Sequence, residues 1–234
     1  MMLIYLATFF LAASIVSFFN LYDERRRRGE EWIRSRSHCD ACGRRIPWPY
    51  LIPVLGYLLA NGRCTCGEKI SFFHPLTEAI GGILVVFLSV RNGMDSRTLF
   101  WVAGIFILYL MAVEDCRNRD VYTKDLIVGG MIFTSGLFFK NTIYPLSGLF
   151  ILLIMGALYL LFPKAVGEGD IYYASLLALG IAGIWNSYLF FTCAFVTAAI
   201  VGGGLFLFKL TKERAFPMFP FFLWDYVVVE NFLL

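Results

Sequence analysis

Two stretches of this 234-residue chain, 143–162 and 171–208, carry no charged residue, and only Pro163-Lys164-Ala165-Val166-Gly167-Glu168-Gly169-Asp170 separates them. Uncharged apolar segments of about 17 to 25 residues are long enough to cross a bilayer as helices. In lipid a backbone has no hydrogen-bond partner but itself, so the helix is the default solution. With 59% hydrophobic residues, 16% charged and a mean hydropathy of +0.71, the composition excludes a soluble globular domain. Comparable apolar runs fall at 1–19, 75–90, 98–113, 126–139, 145–162, 171–184, 187–208 and 216–234. The expected fold is therefore an all-α polytopic membrane protein of about eight transmembrane helices. The fourth and sixth runs are short for a full crossing, and Asp225 and Glu230 in the last read as a frayed end.

The net charge of +3 hides a strong asymmetry. When the connecting segments are assigned alternately to the two faces, 17 of the 20 basic residues fall on one side, leaving Arg91, Arg97 and Lys140 on the other. The positive-inside bias makes the basic side cytoplasmic and places the N-terminus outside. The first run has no basic residue before it and Arg25-Arg26-Arg27-Arg28 after it, so it reads as a retained anchor rather than a cleaved signal. Three parts are expected: an anchor over 1–19, a cytoplasmic loop domain over 20–74 and a transmembrane core over 75–234.

Two acids stand out against this apolar background. Asp170 closes the Gly167-Glu168-Gly169-Asp170 turn, and Asp115 ends the run 99–113. A charge at a helix centre in a membrane costs about 2.5 to 3.5 kcal/mol and is functional by default. The assignment of faces puts both carboxylates at the cytoplasmic membrane edge, and two carboxylates from separate helices are the minimum equipment of an aspartyl protease. Gly167 and Gly169 thin the backbone there for close approach. Glu114 points about 100° away from Asp115 on a helix, Asp120 and Asp125 lie in a polar loop, and Glu168 is a candidate for substrate contact.

The polar stretch 20–74 holds Cys39-Asp40-Ala41-Cys42-Gly43 and Cys64-Thr65-Cys66-Gly67. Paired thiols before glycine are the pattern of a metal knuckle, and Cys39, Cys42, Cys64 and Cys66 together would close a tetrahedral structural zinc site. A cytoplasmic location disfavours disulfides. The second pair is one residue shorter than the first, so a redox pair or unligated thiols stay open as alternatives. His38 or His74 could stand in for a thiol, whereas Cys116 and Cys193 read as small packing residues.

An anchor, a tetracysteine loop, an Asp ending a membrane helix and a later G-x-G-D together resemble the bacterial type IV prepilin peptidases, the leader peptidase/N-methyltransferase family of G-x-G-D aspartyl proteases. Ser17-Phe18-Phe19-Asn20 followed by Arg25 is similar to that family's GSFLN…R opening, with Val16 where a glycine is usual. Ile52-Pro53-Val54-Leu55-Gly56-Tyr57-Leu58-Leu59 resembles its IPxLSYL stretch, and His74-Pro75-Leu76-Thr77-Glu78 its YPLxE. Tyr172 replaces a customary Lys, Val121-Tyr122-Thr123 replaces a Leu/Ile-Pro-Asp/Asn run, and Phe219 occupies the glycine position of a C-terminal PFGPFL pattern.

The resemblance implies Asp115 and Asp170 as the catalytic dyad of an endopeptidase that removes the leader of prepilins or pseudopilins, in type IV pilus or type II secretion systems of the inner membrane. It also implies N-methylation of the new terminus from S-adenosylmethionine, associated with the cytoplasmic loop and with Asn20 and Arg25. The expected partners are these substrates and the lipid bilayer. No G-x-G-x-x-G follows a strand and no basic-aromatic interleaving sits on a soluble fold, so neither a dinucleotide site nor nucleic-acid binding is expected. A peptidase without methylation, a transporter using membrane acids, and a zinc-stabilised assembly factor with inactive acids are the competing readings.

Overall fold

The computed structural model describes residues 2–31, 37–39, 41–163, 166–208 and 216–233. Arg34, Arg36, Lys164, Lys209, Lys212 and Arg214 of the basic count lie outside them. Each of the eight apolar runs contains a helix, and the described residues include no strand beyond the isolated bridges His38–Arg45 and Arg63–Lys69. Four helices, α1 (Met2–Arg28), α3 (Phe73–Asn92), α4 (Ser96–Asn118) and α8 (Ile184–Leu207), are long and apolar enough to cross a membrane. The chain divides into two compact units, Met1–Val90 and Arg91–Leu234.

In the first unit α1 runs past its apolar part, so that Arg25 to Arg28 form its last turn, where cations complement the helix dipole. Thr8 and Ser14 donate to the carbonyls of Ile4 and Phe10, which satisfies their hydroxyls within an apolar segment. The Phe9 ring lies against Gly82 of α3, where a Cβ would come within 2.6 Å of it. Val16 is fully buried at the family's glycine position. Towards the arginine end, Asn20 Nδ2 donates to Thr77 Oγ1 at 3.0 Å and His74 Nε2 lies 3.5 Å from Glu24 Oε1.

Between these helices lie a 3-10 turn (Trp48–Leu51) and the short α2 (Leu55–Leu59). Val54, at φ 64° and ψ −54°, centres a γ-turn in which Leu55 N–H donates to Pro53 C=O at 2.6 Å. That turn is strained for a β-branched residue. Its own N–H donates to buried Glu78 Oε2 on α3 at 2.7 Å, and Gly56 has no room for a side chain against the Tyr50 backbone.

In the second unit Asp95 caps α4, accepting from Arg97 N–H and Thr98 N–H at 2.9 and 3.1 Å. α5 (Thr123–Lys140) packs along α4. Lipid offers no hydrophobic drive for this pairing, so close backbone approach supplies it: a Cβ on Gly136 would come within 2.8 Å of Trp101 Cα, and one on Gly104 within 2.6 Å of Phe133 Cα. α6 (Pro145–Leu161) and α7 (Glu168–Ala178) follow. α7 ends in turns at 179–183, so the run 171–184 is not one continuous helix.

Fully buried Phe222 and Tyr226 lie on α9 (Phe219–Val228), and Trp101 Nε1 donates to the Tyr226 hydroxyl at 3.3 Å. Asp225 and Glu230 are held in place rather than frayed. Asp225 accepts from Thr197 Oγ1 at 2.7 Å, and Glu230 pairs with Lys140 at 3.4 Å. The Lys140 ammonium lies 3.7 Å over the Trp101 ring, and Asn231 receives Arg91 and Asn92 at 3.0 Å each. These bonds tie the far ends of α4, α5 and α9 together.

Candidate active site and metal centre

Asp115 sits buried in the last turn of α4, where its Oδ2 accepts the Phe219 backbone N–H at 3.0 Å. Phe219 opens α9, so that amide is one of the donors a helix start leaves without an internal partner. A carboxylate facing it also meets the positive end of the helix dipole. Asp170 is the third residue of α7, and its Oδ2 accepts the Gly167 N–H at 3.1 Å, the return half of a capping box. Each acid thus has one oxygen held by a backbone amide.

Phe219 links the two acid-bearing helices with its other atoms. Its ring stacks on Tyr173 of α7, with centroids 3.9 Å apart at 19°, and a Cβ on Gly169 would lie 3.4 Å from its edge. The Tyr173 hydroxyl donates to Leu108 C=O on α4 at 2.9 Å. Asp115 and Asp170 lie within electrostatic reach of one another. The space beside Gly169 is filled by Phe219, whereas a Cβ on Gly167 would meet only the Asp170 carboxylate, at 3.2 Å. Glu168 accepts from the Tyr159 hydroxyl of α6 at 2.9 Å, and Glu114 is buried beside Asp115.

Two participants were not singled out from sequence. The Phe219 amide and the Tyr173 ring were missed because a backbone donor has no residue signature and Tyr173 reads as one more apolar position. The available signal was local: an aromatic three residues after Asp170, and Phe219-Pro220, a proline in the first turn that marks a helix start, where the first amides have no internal partner.

In the first unit the Sγ atoms of Cys39, Cys42, Cys64 and Cys66 all lie within 4.8 Å of one another, and Cys39 and Cys66 are 3.8 Å apart. A zinc ion with Zn–S bonds of about 2.3 Å needs a tetrahedron with edges of about 3.8 Å, so the donor set fits that ion. Both knuckles close despite their unequal lengths. Gly43 N–H donates to Cys39 C=O at 2.8 Å and Gly67 N–H to Cys64 C=O at 2.9 Å, with φ of 65° and 91° at the two glycines. Positive φ is what glycine supplies.

The Cys66 amide, followed by the neighbouring thiols, holds Cys64 down to about 6. The Glu68 amide favours the Cys66 thiolate, but the Cys64 sulfur and burial outweigh it and push Cys66 up to about 11. Neither histidine joins the cluster: His38 Nδ1 lies 3.5 Å from Arg25 Nη2, and His74 faces Glu24. Asn20 and Arg25 are both buried on α1 in this same unit, and Arg25 reaches the residue adjoining Cys39.

Residues 10–92 match the family described as Bacterial Peptidase A24 N-terminal domain. A prepilin leader peptidase/N-methyltransferase of Bacillus subtilis is 26% identical over 197 residues, covering 80% of this chain and 78% of that protein. The protein of the same name from Pseudomonas putida is 23% identical over 79% of this chain and 67% of its own length. One from Vibrio cholerae is 34% identical over 36% of this chain and 34% of its own. No solved structure matches.

Proposed function

We propose that this chain, which is similar to prepilin leader peptidases over about 80% of its length, is a membrane aspartyl endopeptidase in which Asp115 and Asp170 cut prepilin or pseudopilin leaders. The observation that supports this reading is Phe219, whose amide holds the buried Asp115 of α4 and whose ring stacks on Tyr173 of α7, the helix that carries the half-buried Asp170. Two neighbouring carboxylates hold one proton between them. The ionised member takes a proton from water as that water attacks the scissile carbonyl, and the protonated member donates a hydrogen bond to the developing oxyanion. The amides of Phe219 and Gly167 each fix one carboxylate oxygen. No covalent intermediate is required.

The basic asymmetry supports a cytoplasmic location for both acids. The four thiolates of Cys39, Cys42, Cys64 and Cys66 would hold a structural Zn²⁺ that orders the loop. Methylation of the new N-terminus from S-adenosylmethionine is assigned to the first unit, with Asn20 and Arg25 in its buried polar end. This rests on the names of the relatives and on the burial of those two side chains.

The test is mass spectrometry of a prepilin N-terminus after incubation with the purified protein and S-adenosylmethionine, which reads leader loss and methyl gain separately. Asp115→Asn and Asp170→Asn should each abolish leader loss with membrane insertion unchanged, because an amide cannot act as base. Near-normal turnover in either variant removes that residue from the mechanism.

A further inference from the structure

The short helix α2 carries its apolar stripe outward. Leu55, Leu58 and Leu59 stand at i, i+3 and i+4 on one face, and all three are exposed, Leu58 by 62% and Leu59 by 59%. The other side makes the contacts: Gly56 is buried against the Tyr50 backbone, and the Tyr57 ring lies 6.0 Å from that of Phe72. Trp48 and Leu51 of the preceding 3-10 turn are exposed as well. A helix at a water-facing surface shows the reverse pattern, apolar inward and polar outward. We infer that α2 and the Trp48–Leu51 turn form an interfacial foot, whose leucines rest at the headgroup–acyl boundary of an anionic bilayer leaflet on the side where α1 ends in arginine.

Two ties to α3 fix the depth of the foot. α3 has 20 residues, about 30 Å at 1.5 Å per residue, which is the full hydrocarbon thickness of a bilayer. Its start at Phe73 therefore lies at the hydrocarbon boundary, and Phe72, the ring partner of Tyr57, directly precedes it. Glu78, which accepts the Val54 N–H at the entry to α2, is about 7 Å further in along the helix. α2 is thus held within that span, and amphipathic helices that lie on membranes bury their apolar face by about 5 to 10 Å. The first helix agrees. Asn20 bonds Thr77, so Arg25 to Arg28, the last turn of α1, emerge about 2 to 6 Å past the boundary, among the headgroups.

The rim of the foot fits anionic lipid. Over 41–72, Arg44, Arg45, Arg63 and Lys69 are all exposed and Glu68 is the one acid; basic side chains beside an apolar face are drawn to an anionic surface. Trp48 and Tyr50 of the 3-10 turn are the amphipathic rings favoured where headgroups meet acyl chains. Cys64 follows α2 closely in sequence, so the knuckles sit at the membrane surface. The inference is independent of the peptidase reading.

The experiment uses the full chain in phosphatidylethanolamine/phosphatidylglycerol vesicles whose lipids carry bromine either near the headgroup end or near the methyl end of the acyl chains. A fluorescent amino acid at Leu58 should be quenched about twofold more by the shallow bromine than by the deep one. The same amino acid at Leu11, 65% exposed and midway along the apolar part of α1, should show the reverse order. Replacing phosphatidylglycerol by phosphatidylcholine should at least halve the quenching at Leu58. A benzophenone amino acid at Leu59 should crosslink to lipid. Both reporters replace exposed side chains, so neither disturbs the packed side of α2. Quenching at Leu58 by neither bromine overturns the foot, as do crosslinks from Leu59 confined to protein, whether the rest of this chain, a second copy or an added prepilin. Quenching indifferent to phosphatidylglycerol overturns its preference for an anionic leaflet.

Discussion

Phe219 serves the candidate site with two different parts, an amide that holds Asp115 and a ring that stacks on Tyr173. Tyr173 is fully buried, so its removal acts on α4 and α7 together. Tyr173→Phe keeps the stack and loses one hydrogen bond to Leu108, worth about 1 kcal/mol; its kcat should stay within about twofold of the parent. Tyr173→Ala opens a cavity costing about 3 to 5 kcal/mol and releases the Phe219 ring, so kcat should fall more than about tenfold in protein that remains folded by thermal melt. A folded Tyr173→Ala enzyme with unaltered kcat would show that the stack does not position the acids. Val54 is the other residue held in an unusual state. Its γ-turn stores about 1 to 3 kcal/mol, and the Glu78 carboxylate together with the tight Gly56 contact opposes relaxation.

Among elements, the tetracysteine loop owes its order to chemistry more than to packing, since its short helices leave Trp48, Leu51, Leu58 and Leu59 exposed. Elemental analysis should find one zinc per chain, lost from a Cys39→Ser/Cys42→Ser variant, whose methyl transfer should fall more than its leader cleavage. The pH dependence follows from the thiols. A zinc ligand must be a thiolate, Cys64 titrates near 6 and Cys66 near 11, so at pH 7 binding must still displace protons. Affinity therefore rises with pH across 6 to 8, by up to about tenfold per unit for each proton released. Competition with a chromophoric chelator at pH 6, 7 and 8 measures the slope, and a flat profile would exclude a site built from protonated thiols.

At the scale of the molecule, the helices within the eight apolar runs, four of them long and apolar enough to cross a membrane, were legible because long uncharged stretches are what lipid demands of a spanning helix, and the acids because charge is rare there. Less legible was where helices stop: α1 continues through four arginines and α7 ends at Ala178, since charge marks a membrane boundary and not a helix boundary. The anchoring of Asp225 and Glu230 has no local signal, because their partners, Thr197 and Lys140, are 28 and 90 residues away. Convergence of α4, α7 and α9 on Phe219 is a tertiary fact with no local spacing.

The same scale carries the test of topology. In intact cells an impermeant thiol reagent should leave Thr123→Cys unlabelled and should label a cysteine in the 93–95 connection. Of the positions flanking that connection, Asn92 is a poor choice because it bonds Asn231 and Lys140. Met94, partly exposed and bound to neither, is the better reporter. Cys116 and Cys193 are replaced by serine in the background while the four knuckle cysteines stay, which keeps the loop folded. Ser35, a further reporter on the basic side, lies outside the described residues. Labelling of Thr123→Cys from outside would put the start of α5, and with it the neighbouring Asp115, on the face opposite to the one the 17 basic residues select, and leader cleavage at the cytoplasmic face would then be sterically excluded.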